Sequence, residues 1–247
     1  MDYYTLLNDK AKKKTLVSLY NPQTKERWEE VVIPISNSML STLLYTRWVK
    51  QRAADVDKWS NGRLGYVHIE SMGDDSFRSV YSDILGKYNN REGIIIDTRF
   101  NGGGRLHEDI EILFSGKKYF TQVIRGREAC DMPSRRWNKP SIMLTCEANY
   151  SNAHGTPCIS PPEYRQTGRH AGSGHDDQRI MGTSARSLPR FRYPCCSYRL
   201  PDNSYLENSQ LEPDIKVANS PETIVKGEDT QLKVAVEELL KELESVL

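Results

Sequence analysis

An α/β fold with parallel strand pairing is what this 247-residue sequence predicts. Three observations point there. Residues 64–69, 93–97 and 141–146 are short apolar runs, of the length expected for strands inside a parallel sheet. Helical apolar spacing fills the stretches between them. Two of the runs end in sharply turning polar loops, the place where open α/β sheets gather ligands.

The N-terminal part reads as strands. Thr15 to Tyr20 alternates like a strand, Asn21-Pro22-Gln23-Thr24 is a turn, and residues 28–33 read as a second strand. Two strands cannot bury a core alone. They either dock on the rest of the chain or close a domain that begins upstream. Residues 40–56 mix apolar and basic side chains and read as a connecting helix. The main domain opens at Asn61-Gly62, followed by the strand Leu64-Gly65-Tyr66-Val67-His68-Ile69. Phe77, Val80, Tyr81, Ile84, Leu85 and Tyr88 then line one face of a helix, with Asp74 and Asp75 suited to its first turn. Gly93-Ile94-Ile95-Ile96-Asp97 is a buried strand. Leu106, Ile110, Leu113 and Phe114 mark a second helix, ended by Gly116. Ser141-Ile142-Met143-Leu144-Thr145-Cys146 is another buried strand. Strand, helix, strand, helix, strand implies parallel pairing. From Thr156 to about Ser197 no apolar period of either kind is present. Order returns with a strand-like stretch at 213–217. A closing helix carries Leu232, Val236, Leu239, Leu240 and Leu243 and is capped near Asp229 or Thr230.

Composition narrows the function. A net charge of +1 argues against a nucleic-acid or acidic-membrane footprint. No apolar run approaches the ~20 residues of a membrane span. The start Met1-Asp2-Tyr3-Tyr4 lacks the basic and apolar regions of a signal peptide. Five cysteines in irregular spacing do not form a disulfide framework.

Chemistry concentrates in two loops. The first is Asp97-Thr98-Arg99-Phe100-Asn101-Gly102-Gly103-Gly104. Its glycines let main-chain N–H groups approach a ligand, so the loop could hold a phosphate or an oxyanion. No Gly-Lys-Ser/Thr comes after it, which excludes a P-loop. A glycine-rich loop alone is equally a plain tight turn. The second loop is Glu147-Ala148-Asn149-Tyr150-Ser151-Asn152-Ala153-His154. An isolated Ser where a strand gives way to a helix is commonly an N-cap. The functional alternative is a nucleophile on a tight turn, with the next amide, Asn152 N–H, donating to an oxyanion.

The two loops together resemble something specific. Gly65-Tyr66-Val67-His68-Ile69, then Ile96-Asp97-Thr98-Arg99-Phe100-Asn101-Gly102-Gly103-Gly104, then Asn149-Tyr150-Ser151, then Leu206-Glu207-Asn208 with Glu212-Pro213-Asp214 resemble the tricorn-type and C-terminal-processing serine peptidases in order and spacing. The resemblance runs from about Leu44 to the C-terminus, apart from the irregular stretch. It implies a crotonase/Clp-protease-like α/β spiral and peptide-bond hydrolysis through an acyl-enzyme. It makes Ser151 the nucleophile, with the N–H groups of Asn152 and of Gly102 or Gly103 as the oxyanion hole. Glu207 becomes the carboxylate that orients the charge relay; read alone it would be a surface residue. The substrate implied is a peptide or unfolded protein, with no cofactor, and a homo-oligomer is possible. The tricorn likeness implies a cytoplasmic setting, and a signal peptide before a missing N-terminal part would imply a periplasmic one.

The sequence departs from the family in two places. A tricorn-type Ser is activated by a His that lies upstream of an inserted PDZ domain. Residues 1–36 resemble the last strands of such a domain, residues 37–60 a helical connector and 61–247 the peptidase core, so the expected base lies before Met1. His68 is mid-strand and expected to be packed. His107 begins a helix and is expected at the surface. His154 comes three residues after Ser151, within reach on a helix, but the resemblance assigns it no role. The second departure is the irregular stretch. Codons exist for residues 163–172 and 189–196 that read, one base later, as apolar strands resembling the family. The expectation is a compensated frameshift from near Cys158 to near Ser197, which the gene's nucleotides would decide. A rival reading makes Cys158, His170, His175, Cys195 and Cys196 a zinc site, although their spacing fits no common pattern. Tail-specific peptidases pair Ser with a Lys some two dozen residues later; the shifted frame places no Lys there, which favours the tricorn type. Two other function classes stay open: a non-catalytic domain that holds peptides or assembles subunits, and an enoyl-CoA-type crotonase, since fold alone does not determine chemistry.

Overall fold

The computed structural model describes residues 3–151, 153, 165–167, 178–181, 192–196, 203, 205 and 212–245. The chain divides into two compact units, Met1–Gln51 and Arg52–Leu247.

The first unit begins with a 3-10 turn, Tyr3–Leu7, followed by strands β1 (Thr15–Tyr20) and β2 (Arg27–Val32). They pair antiparallel, Thr15 opposite Val32 and Tyr20 opposite Arg27, around a turn that Asn21 stabilises by accepting from Gln23 N–H. Leu16, Trp28 and Val31 all remain exposed, as expected of a two-stranded piece with no core of its own. Helix α1 (Asn37–Trp59) extends past the mixed apolar and basic stretch 40–56 at both ends and stays within the 37–60 expected of a helical connector.

The second unit is built on a parallel sheet. Strands β3 (Leu64–His68) and β4 (Gly93–Asp97) pair in parallel, Leu64 with Gly93 through His68 with Asp97. Between them lies α2 (Asp74–Ser82), whose Asp74 pairs with Arg78 one turn on. The sequence predicted one helix through Tyr88. The chain instead widens into a π-helical segment, Asp83–Lys87, which keeps Ile84 and Tyr88 in the core. Helix α3 (His107–Ser115) comes after β4 and ends at Gly116 as expected. An antiparallel hairpin that apolar spacing did not reveal is next, β5 (Phe120–Ile124) with β6 (Arg127–Met132). Its side chains are mostly exposed, so no buried face left a pattern in the sequence. Strand β7 (Ser141–Leu144) then returns parallel to β4.

In the stretch without a period, the backbone forms β8 (Arg165–Thr167), parallel to β7, and the antiparallel pair β9 (Gln178–Met181) and β10 (Arg192–Cys196). The frameshift expectation falls largely on residues outside those described. The sheet order is β3-β4-β7-β8. Residues 213–217 were expected to form a strand; only an isolated bridge residue, Ile215, is found there. A short helix α4 (Pro221–Val225), capped by Ser220, precedes the closing helix α5 (Thr230–Ser245). Asp229 caps α5 by accepting from Leu232 N–H at 3.1 Å.

The period-two alternation of the strands divides the core between two faces. Val67, Ile94, Ile96 and Met143 join Val80, Ile84, Ile110 and Leu113 from α2, its π-helical extension and α3. The out-of-phase Ile95 and Ile142 face α5, which packs on β4 and β7 and buries Leu232, Val236 and Leu239. Both faces are therefore covered, which is why β4 is continuously apolar until Asp97. No described helix is long and apolar enough to cross a membrane.

Candidate active site

The two polar loops leave the carboxyl ends of the adjacent strands β4 and β7, and buried side chains sew them together. Thr98 donates from both its N–H and its hydroxyl to Leu144 O, each at 2.9 Å. Asn149 Nδ2 donates to Thr98 Oγ1 at 3.0 Å. Phe100 N–H donates to Cys146 Sγ at 3.2 Å, and burial pushes that thiol above its ordinary pKa. Asn101 Nδ2 donates to Ile69 O at 2.7 Å. Thr98, Asn101 and Asn149 are all fully buried, so the side-chain bonds they make form away from competing water.

These ties determine where Ser151 lies. Tyr150 N–H donates to Asn101 O at 3.0 Å, joining the residue before Ser151 to the residue before Gly102. Ser151 is half-buried on a turn, with φ +54°, a left-handed conformation uncommon for a non-glycine residue. Ala153, next but one, is packed in the core and donates to Tyr150 O at 3.2 Å, closing the turn.

Within the triglycine loop the members differ. Gly102 is exposed, with open space where a side chain would stand. Gly103, at φ +90°, donates its N–H to Asn101 Oδ1 at 2.8 Å. Gly104 lies against Met72 in a parallel bridge, flanked by Met72 N–H to Gly103 O at 3.0 Å and Arg105 N–H to Met72 O at 2.7 Å.

Beneath the loops sits an ion network that spacing alone did not reveal. Arg99 contacts both oxygens of Asp97 and of Asp229, the closest at 2.6 and 2.9 Å, and Gln231 Oε1 at 3.2 Å. Arg52 Nε stands 2.9 Å from Asp229 Oδ2. Burial works against the Arg99 charge, but Asp97 and Asp229 together hold its pKa well above the ordinary value. Tyr66 donates to Asp97 Oδ2 at 2.8 Å, and burial first, then the Asp97 charge, keeps its hydroxyl protonated. Burial alone would raise the Asp229 carboxyl. The Arg99 charge, then hydrogen bonds from Arg99, Asn219 and Leu232 N–H, hold it below the ordinary carboxylate value.

A carboxylate whose folded pKa is depressed contributes stability above its unfolded pKa of about 4, and that contribution disappears as pH falls through the folded value. Asp229→Asn should therefore lower stability by a constant amount at neutral pH, and the gap to the parent should close progressively below about pH 4. Urea titrations of both proteins from pH 7 to pH 3 read it; a gap that widens in acid contradicts the assignment.

The histidines occupy different settings. His68, expected mid-strand and packed, instead ends β3 and is half-buried, because the strand stops where the polar loops begin; its Nε2 stands 3.0 Å from Arg99 O. His107 opens α3 and is half-buried rather than fully at the surface, because Leu106 beside it anchors the helix in the core. Asn152, His154 and Glu207 lie outside the described residues, as do Cys158, His170 and His175 of the zinc alternative; of Cys195 and Cys196 only the backbone, in β10, is described. Among the described residues no three His, Cys, Asp or Glu converge as metal ligands.

Comparison with known proteins gives this architecture a family. The sequence model of peptidase family S41 matches residues 63–217, from just before β3 through both loops and beyond. The chain belongs to peptidase family S41. A chain from Sulfurisphaera tokodaii named as a putative tricorn-like protease C-terminal subunit is 31% identical over 214 residues, covering 82% of this chain and 24% of that one. The tricorn protease homolog of Saccharolobus solfataricus is 29% identical over 234 residues, covering 81% of this chain and 19% of that one. This chain thus spans about a quarter or less of the length of these relatives. A crystal structure of the tricorn protease superposes with a TM-score of 0.76 over 97% of this chain and 23% of that one, at 21% identity, a likeness of fold.

Proposed function

We propose that this S41 chain is a serine peptidase core that hydrolyses peptide bonds with Ser151 as nucleophile. The observation that carries the reading is the Tyr150 N–H to Asn101 O bond, which sets the serine turn beside the triglycine loop at the carboxyl ends of neighbouring parallel strands. The Ser151 oxygen attacks the scissile carbonyl as its proton passes to a general base. The carbonyl oxygen becomes an oxyanion facing main-chain N–H groups, which contribute most where water is excluded. Collapse transfers the proton to the departing amine and leaves an acyl-serine, which water hydrolyses by the reverse proton path.

The oxyanion donors in this reading are Asn152 N–H and Gly102 N–H. Gly103 N–H, already given to Asn101 Oδ1, serves better to hold the loop's shape. Glu207 orients the charge relay. No described histidine is assigned as the base in this reading: His68 ends a core strand with Nε2 3.0 Å from the Arg99 carbonyl, and His107 opens α3. The consecutive parallel order β3-β4-β7-β8 supports a crotonase-like spiral, and the exposed β1–β2 pair supports the reading of residues 1–36 as part of a PDZ-like domain.

A fluorophosphonate probe tests the assignment, with imidazole added in solution as an external base. The expected result is labelling at Ser151 that imidazole accelerates and Ser151→Ala abolishes. Labelling that survives Ser151→Ala would move the nucleophile elsewhere. No labelling of the parent chain, even with imidazole, would favour a non-catalytic domain that holds peptides in the same fold.

A further inference from the structure

Phe100 combines three features. Its backbone is left-handed, with φ +66°, a conformation in which a bulky side chain is strained. The residue is 68% exposed, so burial returns little of that strain. And it is clamped: Arg99 before it is 2% exposed within the ion network, Asn101 after it is fully buried, and its own N–H is given to Cys146 Sγ. The chain could have relieved the strain with glycine here, as it does at Gly103 and Gly104.

The clamp aims the residue outward. Its neighbours on both sides are buried, so the phenyl ring stands on the open side of the loop, two residues before Gly102. The same loop is tied to the Ser151 turn through Asn101 O and Tyr150 N–H. An aromatic ring on a loop whose backbone is fixed to the serine turn offers apolar contact area to a bound peptide.

We propose that Phe100 is a specificity-determining residue, packing against an apolar side chain of the peptide next to the bond to be cut. The inference rests on the peptidase reading of the same site and deepens it by naming the substrate class. It separates peptides with Leu or Phe near the scissile amide from peptides with Asp in the same place.

The test uses the full 247-residue chain carrying Ser151→Ala, so that binding is read without cleavage. Fluorescent hexapeptides with Leu or with Asp flanking the central amide are titrated against this protein and against the same protein with Phe100→Ala, Phe100→Leu or Phe100→Gly. Phe100→Ala should weaken the Leu peptide about tenfold, the loss expected for uncovering part of a phenyl ring. The Asp peptide should change less than about twofold, and Phe100→Leu should recover part of the loss. Phe100→Gly should melt no lower than the parent, because it relieves the backbone. Equal binding of the Leu peptide with and without the ring overturns the inference. So does a clearly lower melting point for Phe100→Gly, which would make the ring part of the fold. Probe labelling of the Ser151 chain separates the two failures. Labelling together with unchanged binding sinks only the role of Phe100, whereas neither labelling nor peptide binding sinks the peptidase reading and this one with it.

Discussion

Replacing Arg99 with methionine should destabilise the chain by about 3–5 kcal/mol, a large share of the roughly 5–15 kcal/mol that holds a domain folded. The reason is asymmetry. An intact buried ion pair contributes little net stability, because desolvation offsets attraction. Removing Arg99 alone leaves the buried Asp97 without its cation and the buried Asp229 with Arg52 as its remaining cation. The loss should reach the site as well, since Arg99 lies between β4 and Asn101 and its carbonyl stands 3.0 Å from His68 Nε2. Urea denaturation of Arg99→Met would read the energy and fluorophosphonate labelling the site. Replacing Asp97 and Asp229 by leucine in the same chain should restore only part of the stability, because Asp229 also pairs with Arg52 and caps α5, and Asp97 accepts from the buried Tyr66 hydroxyl. A shift below about 1 kcal/mol for Arg99→Met would show that the network does not bind the loop to α5 as described.

The second large effect is expected at Gly104. A Cβ there would stand 1.9 Å from Met72 O and 2.6 Å from Met72 C, against backbone rather than a side-chain tip that could swing away. Met72 cannot retreat without breaking its bonds to Gly103 O and Arg105 N–H. The position also has φ +145°, where any L side chain is strained. Strain and overpacking, each about 1–3 kcal/mol, make about 3 kcal/mol or more the expected cost of Gly104→Ala. Gly102→Ala is the internal control. Its Cβ meets nothing within 4 Å, so a change within about 0.5 kcal/mol is expected. Thermal melts of the two variants give the comparison, and equal midpoints would mean that the close approach to Met72 does not hold the loop.

Much of the fold is legible in the chain's own pattern. The strands 64–68, 93–97 and 141–144 announce themselves because they are covered on both faces, and two-sided burial leaves an uninterrupted apolar run. Helix α5 and its Asp229 cap show for a related reason, since one buried stripe and one capping carboxylate are local signals. The β5–β6 hairpin left no such trace, because exposed strands impose no apolar pattern. The π-helical widening at Asp83–Lys87 was equally invisible, since it alters the hydrogen-bond step without altering which residues are apolar.

The candidate site divides in the same way. Local sequence determined that two loops of the right chemistry come after two buried strands, and that a serine and three glycines lie on them. Only the tertiary structure decided that Asn101 and Asn149 are fasteners, that Gly103 N–H is occupied, and that Arg99 ties its loop to a helix 130 residues away in sequence. Those facts depend on which buried donor meets which acceptor across the sheet. No window of sequence contains that pairing, because the partners become neighbours only when the chain has closed its core around them.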